Sequence, residues 1–226
     1  MPTFNHPSGK RVFFAHIPRT AGRFIEANLL KNDFSWGDVH LDNGKGVMSI
    51  VNGYEVAHYH RDHYMKYLFC KDIPHFSVVR NPIDRFISAS IYLKRFCGPD
   101  VQKGVEDRNS FLQVLKSIPY PQSINWYRPQ IDFLRSDTHI WKFEDGFGDD
   151  FVSWLSGIVG IDLEFGDEVE YPIGKDEHNK LEKTPKLIDN LRQLYWKDIE
   201  QFYPELAAPF EEGTEADLKT TSTTPS

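Results

Sequence analysis

The chain predicts an α/β fold in which a central parallel sheet carries helices on both faces. Three observations support this. Short β-branched and aromatic runs alternate with segments of helical period. The main strand runs are apolar on successive residues, as strands covered on both sides are. Two of them lead through a tight loop into a helix start, at 17–22 and 79–82. In such sheets ligands bind beyond the carboxyl ends of the strands, which is where both junctions fall.

The first strand is Arg11-Val-Phe-Phe-Ala-His-Ile17, closed by Pro18. A turn, Pro18-Arg-Thr-Ala-Gly22, follows, and Phe24, Ile25, Asn28 and Leu29 recur at helical spacing. Residues 32–53 hold Gly37, Asn43, Gly44, Gly46 and Gly53 and read as irregular. Tyr54–Tyr59 reads as a second strand, His63–Phe69 as a helix and His75–Val79 as a third strand. Asn81, Pro82 and Asp84 then suit the N-cap, N1 and N3 positions of a helix. Ile83, Phe86, Ile87, Ser90 and Ile91 give that helix a mostly apolar face. Further helices are expected at 109–117, 124–135 and 148–159, with a strand at His139–Phe143 between the last two. A final helix starts at Thr184 and Pro185, runs through Leu187, Ile188, Leu191, Tyr195, Ile199 and Phe202, and stops at Pro204.

The chain has 226 residues, of which 40% are hydrophobic and 14% aromatic, enough for a sizeable core. Residues 1–204 read as one domain. Residues 205–226 read as a tail: five acidic residues and one lysine, then Thr-Thr-Ser-Thr-Thr-Pro-Ser, disordered or an appended remnant. A net charge of −7 argues against a general nucleic-acid binder. Cys70 and Cys97 show no metal spacing and suit a reducing compartment. With no signal-like or membrane-spanning run, the expectation is a cytoplasmic protein without a membrane partner. A trimmed catalytic domain from the secretory pathway would have the same pattern, and both readings stand. Oligomeric state is not legible.

The chemistry concentrates at two loops. In His16-Ile-Pro-Arg-Thr-Ala-Gly22 a strand ends, a glycine loop turns and a helix begins, so backbone N–H groups face an anion. Arg19 and Arg23 add fork-shaped donors and Thr20 a hydroxyl. No Gly-x-x-x-x-Gly-Lys-Ser/Thr is present, which disfavours a P-loop kinase. In Val79-Arg-Asn-Pro-Ile-Asp-Arg-Phe-Ile-Ser88 a strand again delivers an arginine, Arg80, to a capped helix start, and Ser88 falls two turns in. An arginine and a hydroxyl so placed can hold one phosphate between them. The plainer alternative is an ordinary turn with surface arginines, and an Arg80 paired with Asp84.

The first segment resembles the HIPKTAGT loop of the PAPS-dependent carbohydrate sulfotransferases, where PAPS is 3′-phosphoadenosine 5′-phosphosulfate. The second resembles their VRNPxxRxxS segment. The two stand in the family's order, about 60 residues apart. The similarity is greatest to the heparan and uronyl 2-O-sulfotransferases. The resemblance implies a P-loop-NTPase-like fold. It implies that Arg19, Thr20, Ala21, Gly22 and Arg23 grip the 5′-phosphosulfate, and that Arg80 and Ser88 bind the 3′-phosphate. Lys183, Thr184 and Lys186 match a weaker late loop that closes over the nucleotide. Gln130, Phe143-Glu144 and Trp196-Lys-Asp-Ile199 also sit where the family has similar residues. PAPS would be the co-substrate and PAP, its desulfated bisphosphate, the product, with no metal required.

This chain departs from the family pattern in the first loop. The usual lysine is Arg19, and the usual Thr-Ser after Gly22 is Arg23-Phe24. Arginine can stabilise charge at the bridging oxygen, but it does not readily donate a proton. Catalysis needs a base for the acceptor proton, and histidine suits it. Counting back from Arg80 places the family's catalytic histidine at His58, with His60 in reserve, so His58 and Arg19 are the catalytic candidates. If 54–59 is a strand, His58 and His60 point to one side of it. His-x-His without a carboxylate partner is not read as a metal site. His16 reads as a structural strand-end residue. His60, Arg61, Tyr92 and Arg95 are candidate acceptor contacts, and Tyr59, Trp126, Tyr127 and Arg128 also lie within such a site's reach. The acceptor is a hydroxyl compound, with a saccharide the first choice. The competing function is a nucleotide-binding protein on the same fold that does not transfer sulfate.

Overall fold

A computed structural model describes residues 3–37, 50–51, 54–55, 58–66, 72–97, 126–166, 183 and 185–207. Its main sheet has five strands: β1 (Thr3–Asn5), β2 (Arg11–Phe14), β3 (Ser35–Trp36), β6 (His75–Val79) and β7 (His139–Lys142), in the order β3-β1-β2-β6-β7. β2, β6 and β7 run parallel, whereas β1 pairs antiparallel with both β2 and β3. The sheet is therefore mixed, and the fully parallel expectation is corrected. The reason is the short connection. His6 N–H donates to Lys10 O at 2.9 Å and Gly9 takes φ +86°, so a tight turn joins β1 to β2. A parallel connection needs a crossover of a dozen residues or more, and this turn permits only a hairpin.

Helices cover both faces. Val12 and Phe14 of β2, with Phe76 and Val78 of β6, pack on Ile25 and Leu29 of α1 (Gly22–Lys31) and on Phe151, Leu155 and Val159 of α4 (Asp149–Val159). On the other face, Phe13, Ala15 and Val79 pack on Tyr64 of α2 (Arg61–Tyr64), on Phe133 of a 3-10 turn (Gln130–Phe133) and on Phe202 of α6 (Trp196–Phe202). Consecutive residues of β2 thus serve opposite faces, which is why Val12, Phe13 and Phe14 are apolar in succession. α3 (Pro82–Cys97) forms a third cluster with Trp126, Tyr127 and α5 (Pro185–Leu194).

The helix starts and stops have local causes. Asn81 Oδ1 accepts from the N–H groups of Ile83 (3.0 Å) and Asp84 (3.3 Å), capping α3 as the sequence predicts. α4 ends at Gly160, at φ +68°. The last helical segment divides at Tyr195 into α5 and α6, although Leu191, Tyr195, Ile199 and Phe202 form one buried stripe as read.

Two expected elements are corrected. Tyr54–Glu55 (β5) is a strand, but it pairs with Ile50–Val51 (β4) in a separate hairpin, and 58–60 form a turn into α2. His58 and His60 are not strand neighbours. Within the expected helix 124–135, the described part is a turn followed by the 3-10 segment. Pro129, at ψ 142°, has no N–H to donate and disfavours α geometry at Arg128. The expected helix at 109–117 and the tail beyond Ala207 lie outside the described residues, as does the end of the expected helix 63–69. Among the described residues no helix is long and apolar enough to cross a membrane.

Phe14 ties this core to the loop above it. Its ring stacks on Phe76 (4.7 Å between centroids) and on His16 (5.2 Å). Phe14→Ala is expected to cost about 3–5 kcal/mol in urea denaturation. A loss under about 1 kcal/mol, as at surface sites, would contradict this packing.

Candidate functional site

Beyond Phe14 the chain keeps to β6 for one more residue: Ala15 N–H donates to Phe76 O at 2.9 Å, and Ser77 Oγ donates to Ala15 O at 2.6 Å. It then turns. Arg19 (φ +70°) and Ala21 (φ +64°) are both left-handed, a conformation that costs a non-glycine residue of order 1 kcal/mol. Thr20 is buried and donates its hydroxyl to Ile17 O at 2.9 Å, tightening the loop from inside. Ala21 caps α1, whose first N–H groups have no partners within the helix. Interspersed left-handed residues before a helix N-terminus are the backbone geometry of an anion nest. Gly22 is required by a close approach: a Cβ there would run into the His16 ring.

His16 is more than a strand-end residue. It is buried, and its Nδ1 lies 2.7 Å from Glu26 Oε1, one turn along α1 from Gly22. Burial opposes ionisation of Glu26, but the charge and hydrogen bond of His16 outweigh it and hold the carboxyl below its usual range. The His16 carbonyl lies 3.1 Å from Nδ1 of His58, whose ring meets His16 edge-on at 4.5 Å. Trp126 also packs edge-on against the His58 ring, at 5.4 Å. Since a carbonyl can only accept, His58 Nδ1 carries the proton, and Nε2 holds the lone pair when the ring is neutral.

The second loop leaves β6 at Arg80. Gln130 holds its main chain from both sides: Arg80 N–H donates to Gln130 Oε1 at 2.9 Å, and Gln130 Nε2 donates to Arg80 O at 2.8 Å. Asn81 N–H donates to Glu144 Oε1 at 2.7 Å, and Tyr203 hydroxyl donates to Glu144 Oε2 at 2.8 Å. The Arg80 side chain lies over the Phe143 ring, 4.3 Å from its centroid. Burial lowers the proton affinity of its guanidinium, against the pull of Asp84 and Glu144. Arg80 Nη1 donates to the Arg19 carbonyl at 3.3 Å, and Arg19 Nε donates to Ser88 Oγ at 3.0 Å. The two loops named from the sequence therefore meet at Arg19, Arg80 and Ser88.

The other candidates are divided. Lys183 reaches this place, pairing with Asp84 at 2.9 Å. Lys186 lies in the first turn of α5, and Thr184 falls outside the described residues. Arg23 is exposed in the first turn of α1. The His60 ring lies against His63 at 4.4 Å, and burial followed by the charges of Arg128 and His63 holds its pKa down to about 3. Arg61 donates to Leu134 O at 3.2 Å. Tyr92 and Arg95 fall on α3. Trp126, Tyr127 and Arg128 sit on the turn, not on a helix, and all three are buried. Among the described residues no group of three or more His, Cys, Asp or Glu side chains forms a metal cluster.

Arg85 and Glu26 were not singled out from the sequence. Arg85 is fully buried and donates to the carbonyls of Trp126 (3.0 Å) and Arg128 (2.6 Å), fixing the turn that carries Trp126 to His58. Its position inside the second motif was the available signal. Asp198, also fully buried, accepts the N–H groups of Gln130 (2.8 Å) and Ile131 (2.9 Å). Burial pushes the Asp198 carboxyl up, and Arg85 and these two N–H groups oppose that.

Gly22→Ala is expected to cost about 1–3 kcal/mol, because His16 must give way; thermal melting that leaves Tm unchanged would contradict the ring contact. His60 sets a pH dependence. Its folded pKa lies below the ordinary 6.5, so stability is full above that value and falls as pH drops toward about 3. His60→Gln should flatten this acid slope in denaturation curves from pH 7 to pH 4; an unchanged slope would contradict it.

A family model described as the sulfotransferase family matches residues 3–144, more than half of the chain. The match takes in every strand of the main sheet, both loops, His58 and Gln130, and it ends on Glu144. No curated protein and no solved structure matches the chain. On the family match, with both loops inside it and joined in space, this chain belongs to the sulfotransferase family.

Proposed function

We propose that the protein is a PAPS-dependent O-sulfotransferase with a P-loop-like nucleotide site and His58 as its base. The observation that carries this is the contact of the two loops. Arg80 reaches the main chain of Arg19, and Arg19 reaches Ser88, so one nucleotide spans both loops at once. Arg80 Nε is buried and has no hydrogen-bond partner among the described residues, which suits an anion as the missing acceptor.

In this reading the N–H groups of the 18–22 loop and the α1 N-terminus receive the 5′-phosphosulfate, with Thr20, Ala21, Gly22 and Arg23 around it. Arg80 and Ser88 receive the 3′-phosphate, and Lys183, Thr184 and Lys186 close over the nucleotide. The acceptor oxygen attacks sulfur, and its proton passes to Nε2 of His58. The bond from sulfur to the bridging oxygen breaks, and PAP departs with the negative charge. Fixed N–H groups and guanidinium charges stabilise that charge without a metal. The His16 carbonyl supports the His58 tautomer the step needs. A saccharide is the proposed acceptor class, with Trp126 beside His58 and with Arg128, His60, Arg61, Tyr92 and Arg95 as its proposed contacts.

The replacement of a lysine by Arg19 favours a second reading, a PAP-binding protein that does not turn PAPS over. Transfer of labelled sulfate from PAPS to a panel of saccharide, phenol and alcohol acceptors separates the two. We expect transfer by the wild type and its loss in His58→Ala, which should still bind PAP. Full activity in His58→Ala would remove His58 as base, and PAP binding without transfer to any acceptor would favour the second reading. Arg80→Ala should weaken PAP binding by about 1.5–3 kcal/mol in calorimetric titration. An unchanged Kd would contradict its role.

A further inference from the structure

The geometry points to Arg19 as a specificity-determining residue that serves the same anion as Arg80 and Ser88, and so favours nucleotides bearing a 3′-phosphate. This deepens the nucleotide reading above and rests on it. It differs from the sequence expectation, in which Arg19 works at the 5′-phosphosulfate.

Arg19 is held at both ends. Its main chain takes φ +70°, and its carbonyl accepts from Arg80 Nη1 at 3.3 Å. Its side chain crosses to α3 and donates from Nε to Ser88 Oγ at 3.0 Å. Ser88 is 1% exposed and lies two turns into a capped helix, so it is a fixed anchor. Once Nε is on Ser88, the rigid guanidinium plane places the terminal nitrogens of Arg19 on the α3 side of the loop.

Charge supports the same conclusion. Arg80 is a half-buried guanidinium, and among the described residues no carboxylate forms an ion pair with it. Its acidic neighbours are engaged elsewhere: Asp84 holds Lys183 at 2.9 Å, and Glu144 holds Asn81 N–H at 2.7 Å and the Tyr203 hydroxyl at 2.8 Å. The Arg19 side chain, drawn to Ser88, brings a second permanent cation to the same place. A terminal phosphate monoester supplies two charges and three acceptor oxygens, enough for two arginines and the Ser88 hydroxyl. A 3′-hydroxyl supplies neither. Lysine at this position has no Nε–H and only a point ammonium, so it cannot hold Ser88 and face a phosphate with a fork.

The test is calorimetric titration of PAP and of adenosine 5′-phosphate, which share the 5′-phosphate and differ at the 3′ position. The proteins are wild type, Arg19→Ala, Arg19→Lys and Ser88→Ala, each checked for a wild-type circular dichroism spectrum. Arg19→Ala should weaken PAP at least about tenfold, as for a lost charge-assisted hydrogen bond, and adenosine 5′-phosphate by less than about threefold. Arg19→Lys should not recover the full wild-type preference for PAP. In the double variant with Ser88→Ala, the PAP losses should add to less than their sum, because the two side chains act together. Equal losses on both nucleotides would assign Arg19 to the 5′ group and overturn the proposal, as would an unchanged PAP affinity. A wild type that binds neither nucleotide would overturn the underlying nucleotide reading as well. Should Arg19→Ala not fold, Arg19→Lys decides: a preference for PAP over adenosine 5′-phosphate equal to that of the wild type overturns the proposal, and one reduced at least about tenfold supports it.

Discussion

Where β6 ends, the main chain of Arg80 is caught by the side-chain amide of Gln130, which pairs with both its N–H and its C=O. The rest of the site depends on this clasp. It ends sheet pairing at the residue where the arginine must leave, without stranding buried main-chain groups. Gln130 is itself placed by Asp198, whose carboxylate accepts the first two N–H groups of the 3-10 turn. Glu144 does the same service one residue on, at Asn81. Thus α6, the 3-10 turn and the end of β7 together aim one guanidinium across to the Arg19 loop. A buried network of this kind holds geometry only while every member is satisfied.

What was legible in the sequence follows from what is local. β2, β6, α1, α3 and α4 are set by buried residues and by caps a few positions away, and they stand close to where the pattern puts them, as does the half-buried β7. The antiparallel edge was less visible, because Thr3–Asn5 is three residues long and its direction is decided by the turn after it. Of the expected strand 54–59, Tyr54 and Glu55 find pairing partners in a separate hairpin, whereas the described residues His58 and Tyr59 are not in a strand. A helix is expected at 124–135, but Pro129 and Asp198 favour a turn held by side-chain bonds over its described part.

The site divides in the same way. Both loops can be read because an anion nest and a capped helix start are short-range features. The surroundings of His58 cannot, since they come from the His16 carbonyl, from Trp126 on a distant turn, and from Arg85 holding that turn. His16 looked structural because its partner Glu26 becomes visible only once α1 is folded back on the loop. The buried Arg85 carries a charge whose desolvation is offset by two carbonyls and by the nearby Asp198.

The central claim is that the loop at 16–22 and the loop at 79–88 hold opposite ends of one nucleotide. A crystal structure of the protein with PAP tests this most directly. The account predicts the 5′-phosphate on the N–H groups of the first loop and the start of α1, and the 3′-phosphate on Arg80 and Ser88. It also predicts His58 Nε2 facing the space beyond the 5′-phosphate. PAP bound at one loop only, or with its two phosphates exchanged between the loops, would contradict it.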